Sequence, residues 1–157
     1  MLGGEYACSQ PQELKKLVIS SGPASIPLMA KEYDPLIAQL AFDIRETLED
    51  RNIQGGYDSE VFEKAASVFY ARHVCRQGTS KFVTLGSFEN WEIGQEARKV
   101  EAETLLLNGK YDEATDMCMV QWFRVIPKVK SVTFENSNYM GHWERESDLW
   151  RLSDLSS

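Results

Sequence analysis

The sequence is poor in the residues that build cross-links and metal centres. Its three cysteines, Cys8, Cys75 and Cys118, are odd in number and far apart. A disulfide framework or a zinc knuckle needs paired spacing, so the thiols read as free, in a reducing cytoplasmic setting. There are two histidines, His73 and His142, and zinc or iron held by them would lack a third ligand. No metal and no cofactor is expected. Residues 1–10 carry no basic segment followed by an apolar one, so no signal peptide is expected. The longest apolar stretches fall well short of the roughly 20 residues of a membrane span.

Catalytic signatures are missing too. Gly55-Gly56 lacks the spacing, the lysine and the following hydroxyl of a phosphate loop. Neither Gly-x-Ser-x-Gly nor His-Glu-x-x-His occurs. Basic residues form no stripe, and the net charge is −7. Direct nucleic-acid binding, which rests on Lys and Arg neutralising phosphates, is therefore disfavoured, as is an anionic membrane surface.

What is present suits one ordinary domain spanning residues 1–157. At this length folding buries roughly two-thirds of the unfolded surface, and four Trp, six Tyr and seven Phe supply large core side chains. Hydrophobic spacing predicts helices within residues 11–76. The first covers 11–20, with Leu14, Leu17 and Val18 on one side, and a short piece opens at Pro27. Asp34-Pro35 reads as the start of another, running to Arg51, since a capping carboxylate precedes proline at the first helical position. Asp58 or Ser59 caps a helix ending near Arg76, whose face is Phe62, Ala65, Ala66, Phe69 and His73.

Residues 81–86 favour a strand. Residues 90–125 read as an acidic αα-hairpin broken at Asn108-Gly109. Its turn, with Tyr111 and Ala114 following, resembles a tetratricopeptide repeat. Glu101 and Ala102 depart from that pattern, and no second copy exists to complete a stack. Residues 130–153 alternate and turn like a β-meander, with Trp143 opposite Trp150. The expected fold class is α+β: a helix-rich N-terminal two-thirds packed on a small antiparallel sheet formed mainly by the C-terminal segment.

Two functional readings follow. Residues 89–126 carry a net −4 of the −7. A negative face holding Glu92, Glu96, Asp112 and Asp116 would suit a protein partner with a basic surface, which points to a non-enzymatic accessory or inhibitor-type protein. The alternative is a small ligand-binding or hydrolytic domain with a pocket between sheet and helices, lined by Tyr139, His142, Trp143, Glu144 and Arg151. His142 and Glu144, two apart on a strand, share a face and could exchange a proton. His73 and Cys75, two apart on a helix, are not neighbours. His73 therefore reads as a buried imidazole with one satisfied nitrogen.

Overall fold

A computed structural model describes residues 2–50, 56–74 and 89–139. The elements run α1 (Leu2–Cys8), β1 (Lys16–Ser20), α2 (Ile26–Ile37), α3 (Phe42–Glu49), α4 (Glu60–His73), β2 (Glu103–Gly109), α5 (Asp116–Val125) and β3 (Val129–Phe134). Short 3-10 turns occupy Gly56–Asp58 and Gly94–Lys99.

Among the described residues three strands form one sheet in the order β1-β2-β3, and both pairings are parallel. Leu105 sits between Val18 on one side and Lys130 on the other. This overturns the expected antiparallel sheet and the α+β class. A parallel neighbour can be reached only by a crossover. Residues 21–102, with the helices α2–α4, make the first crossover and α5 makes the second. The result is an α/β layering with the central strand covered on both faces. Leu106 lies in the main core and Leu107 faces the other way, yet they are 0% and 1% exposed.

Three local readings change with it. Residues 16–20 are strand, not the end of a helix, because Val18 and Ile19 gain more from β pairing than from a one-sided helical stripe. The stretch Glu103–Gly109 is strand, so residues 90–125 form no αα-hairpin and the likeness to a helical repeat falls away. A short run of leucines has no period that separates a doubly buried strand from a helix. Pro35 lies inside α2 rather than at a helix start, and the chain breaks two residues later before α3. The expected strand at 81–86 and hairpin at 139–153 lie outside the described residues, apart from Tyr139 itself.

Capping explains where the long helices begin. The Ser25 hydroxyl accepts from the Leu28 amide at 3.2 Å, with Pro27 in the first turn of α2. Ser59 accepts from Phe62 at 3.3 Å to start α4. The main core gathers Ala7, Ile93, Ala97, Val100, Leu106, Met119, Trp122 and Ile126, joining α1, the 3-10 turn at Gly94–Lys99, β2 and α5. Among the described residues no helix is long and apolar enough to cross a membrane.

Among the described residues Trp122 is the largest fully buried side chain, 1% exposed, and its indole Nε1 donates to the Gly22 carbonyl at 2.7 Å. It ties α5 to the segment leaving β1, against Gly4 of α1. Trp122→Ala is expected to destabilise the domain by about 3–5 kcal/mol, read from urea unfolding monitored by far-UV circular dichroism. A loss below about 1 kcal/mol would place the indole at the surface instead.

Candidate functional site

Parallel sheets present their chemistry where the strands end at their C-termini, because the loops there converge. In this chain those loops are the ones after Ser20, after Gly109 and after Phe134. They meet closely. A Cβ on Gly109 would stand 2.3 Å from the Ser137 carbonyl oxygen and 2.5 Å from that of Asn138. Only glycine allows this approach. The amide of Lys110 then donates to Phe134 at 3.0 Å and that of Tyr111 to Ser137 at 3.1 Å.

The loop after β2 carries Asp112 and Glu113, 1% and 4% exposed. Asp112 accepts from the Ala114 amide at 2.8 Å and from the Gly109 amide at 3.3 Å. The Ser21 hydroxyl reaches both the Asp112 carboxyl and the Tyr139 carbonyl, the latter at 3.1 Å, and with one proton it donates to one at a time. Ser21 directly follows β1 with φ at 50°, in the left-handed region, and its amide donates to the Leu107 carbonyl at 2.7 Å. Such strain is held only by a surrounding that over-determines it. Ser21 is 4% exposed and has no glycine two residues before it. It braces the carboxylate and is not a presented nucleophile.

Glu113 faces the helices. Tyr33 of α2 donates its hydroxyl to Glu113 Oε2 at 3.1 Å. The phenols of Tyr70 and Tyr139 also feel the Glu113 charge, and Tyr139 feels Asp112 as well. Burial pushes the Asp112 carboxyl up to about 6 against three hydrogen-bond donors that pull it down. Burial likewise pushes Glu113 up to about 7, with the Tyr33 bond opposing and the Asp112 charge adding. Two adjacent buried carboxyls ringed by phenols form a place suited to a cation.

The residues singled out from the sequence scatter. Glu92 and Glu96 are exposed, Glu96 bonding to Lys99 within the 3-10 turn. Asp116 starts α5, exposed, and accepts from Asn108 at 2.8 Å. Asp112 is buried. These four therefore share no acidic helix face, because the segment is turn, strand and loop. Tyr139 borders Asp112, whereas His142, Trp143, Glu144 and Arg151 lie outside the described residues. Among the described residues no three His, Cys, Asp or Glu side chains cluster to hold a metal. Tyr33, Tyr70 and Ser21 escaped the sequence reading, and Glu113 figured there only as one of the acids of the expected hairpin. Tyrosines and a carboxylate far apart in the chain leave no spacing signal. An open concavity of about 740 Å³ lies at the other end of the sheet, where Lys15, Lys16 and Lys128 mix with Glu101 and Glu103. It is remote from these loops.

No family model matches the chain. Among curated proteins it is 26% identical to the proline iminopeptidase of Saccharolobus solfataricus over 165 residues, covering 90% of this chain and 53% of that protein. It is 25% identical to the proline iminopeptidase of Heyndrickxia coagulans, covering 94% and 59%. Among solved structures, the proline iminopeptidase of Mycobacterium smegmatis superposes with a TM-score of 0.86 at 28% identity, covering 98% of this chain and 60% of that one. VinJ superposes at 0.89 and 26%, covering 99% and 61%. An α/β hydrolase from a deep-sea metagenome library shares the fold at a TM-score of 0.55 and 11% identity, over 95% of this chain and 58% of that one. The chain thus spans little more than half the length of the relatives it matches. These likenesses overturn the expectation of a non-enzymatic accessory protein docking a basic partner. They favour the alternative, a hydrolytic domain.

The carboxyl burial sets a pH dependence. Folded Glu113 holds its proton to about 7, against 4.5 for the free side chain, so folding takes up a proton between those values. The stability this group confers is present below about pH 4.5 and is lost as pH rises through 7. Glu113→Gln is therefore expected to gain on the wild type progressively from pH 4.5 to 7 and then level off, by on the order of 1–3 kcal/mol. Urea unfolding of both proteins at pH 4.5, 6, 7 and 8 checks this. A difference that stays constant with pH would mean Glu113 is solvated.

Proposed function

We propose that this chain forms the acid-and-cap half of an α/β-hydrolase-type peptidase site that accepts a free N-terminal proline. The observation that carries the reading is the buried Asp112–Glu113 pair at the C-terminal end of a parallel strand, beneath the tyrosines of α2 and α4. The names and fold of the relatives support it.

In this reading Asp112 is the acid of a Ser–His–Asp arrangement. Such an acid accepts from the base's Nδ1–H, fixes its tautomer and stabilises the imidazolium formed when the base takes the nucleophile's proton. That proton then goes to the leaving amine, and water releases the acyl group by the same route. In hydrolases of this architecture the order along the chain is nucleophile, acid, base. His142 is the histidine that follows Asp112 and is the base in this reading. The phenol of Tyr139 borders the same space. No Gly-x-Ser-x-Gly occurs in these 157 residues, and no nucleophile is assigned among them. Among the described residues no strand pairs with the outer edge of β1, where Val18 is 58% exposed.

Glu113 is the counter-ion of the substrate's ammonium. An enzyme that removes a terminal residue must recognise the terminal cation, and a buried carboxylate among phenols does so by charge and by ring faces. The helices α2–α4, carried between β1 and β2, form the cap over it. A reducing cytoplasmic setting belongs to this reading, in keeping with the free thiols of Cys8 and Cys118.

The test is binding by this chain of L-prolinamide against N-acetyl-L-prolinamide, which lacks the cation, followed by nuclear magnetic resonance shifts of Tyr33 and Ala114. The free amine is expected to bind and the acetylated form not. Glu113→Gln is expected to weaken binding by about ten-fold or more. Affinity is expected to rise as pH passes through about 7, where Glu113 ionises. Equal binding of both compounds, or of wild type and Glu113→Gln, would sink the counter-ion role.

A further inference from the structure

We propose that His73 is the positioning residue of this site: by gripping Tyr111 it sets the end of α4 so that its own carbonyl clamps the Asp112–Glu113 loop and the Tyr139 loop together. That the clamped loops form a substrate site rests on the reading above. The clamp itself rests on geometry alone.

His73 closes α4. The last carbonyls of a helix have no partner within it. The carbonyl of His73 accepts the amide of Glu113 at 3.3 Å and the amide of Tyr139 at 3.3 Å. One oxygen, with two lone pairs, thus joins the loop after β2 to the loop after β3. The side chain supplies a third tie. Its Nδ1 lies 3.0 Å from the Tyr111 carbonyl. A carbonyl only accepts, so Nδ1 carries the proton and Nε2 does not. His73 is 2% exposed, and its Nε2 is buried without a hydrogen-bond partner among the described residues. A proton there would place an unpaired charge in the interior. Burial accordingly lowers the His73 pKa, which keeps the ring in the single tautomer that holds Tyr111. The ring packs on Phe69 at 4.9 Å, and Phe69 packs on Tyr33 at 5.5 Å. The residue that orients the Asp112–Glu113 loop is thereby in register with the tyrosine that bonds Glu113. A purely apolar side chain would fill the same volume, but it would leave the Tyr111 carbonyl without this donor and the end of α4 free to turn.

Three variants separate donor from volume. His73→Phe keeps the ring and removes the donor. His73→Asn places an amide N–H where Nδ1 stands, and His73→Gln places one where Nε2 stands. The readout is hydrogen exchange of the Glu113 and Tyr139 amides, with the Leu106 amide as a control on global unfolding. In His73→Phe the two loop amides are expected to exchange at least about ten-fold faster, the size of one buried hydrogen bond, and to be accelerated more than Leu106, which reports the change in global stability. His73→Asn is expected to restore protection and His73→Gln not. Unchanged loop amides in His73→Phe, or equal loss in Phe and Asn variants, would overturn the proposal. If His73→Phe does not fold, the tautomer in the wild type decides. Nitrogen-15 shifts at pH 7 should show Nδ1 protonated and Nε2 bare, and the opposite tautomer or an imidazolium would overturn it. L-prolinamide affinity is expected to fall about ten-fold in His73→Phe and return in His73→Asn, in step with the amides. Failure of the wild type to bind prolinamide counts against the substrate reading alone, since the exchange data judge the clamp without it.

Discussion

The contact across Gly109 is the constraint on which the site depends. The loops after β2 and β3 touch backbone to backbone there, closer than any Cβ would permit. Parallel pairing aligns Gly109 with Phe134 at the sheet's end, so the two loops leave the sheet side by side. The amides of Lys110 and Tyr111 then bond across the gap to Phe134 and Ser137. Asp112 follows within a turn whose own amides, Gly109 and Ala114, point at its carboxyl. A side chain at position 109 would push the loops apart, and with them Asp112 from Tyr139.

Burial of Asp112 and Glu113 is a cost the fold carries. Each carboxyl is pushed toward neutrality by the loss of water, and each is offset in part by donors arranged around it. Nothing in packing requires two adjacent acids at this depth, and hydrophobic residues of similar size would fill the space more favourably. Groups held at such expense are candidates for chemistry rather than for stability. The donors are also specific. Ser21 pays in backbone strain to sit at the end of β1, and Tyr33 reaches Glu113 from a helix 80 positions earlier in the chain. The site is thus assembled from the ends of all three strands and from the helices inserted between the first two.

Much of the local structure was written in short signals. Pro27 marked the start of α2, and Ser59 that of α4 because its hydroxyl satisfies an amide that the helix leaves open. The alternation in residues 130–135 predicted a strand, and Val129–Phe134 is one. The site was far less legible. Asp112 could be picked out as an acid, but as one of seven in a stretch read as a helical hairpin. Its burial came only from the strand before it, and a run of three leucines is as compatible with one conformation as with the other until neighbours are known.

By itself the sequence determined that helices begin near Pro27 and at Ser59, and that no Gly-x-Ser-x-Gly lies in these residues. These are properties of single residues and fixed spacings, which survive any arrangement of the chain. Tertiary structure alone decided that the sheet is parallel, because strand direction depends on crossovers between segments that lie 82 residues apart at β1 and β2. It alone decided that Asp112 and Glu113 are buried together while Glu92, Glu96 and Asp116 stay in water. The ionisation of a carboxyl is set by what surrounds it, and beyond the local amides of Gly109 and Ala114 those surroundings come from α2, α4, the end of β1 and the loop after β3, all distant from Asp112 in sequence.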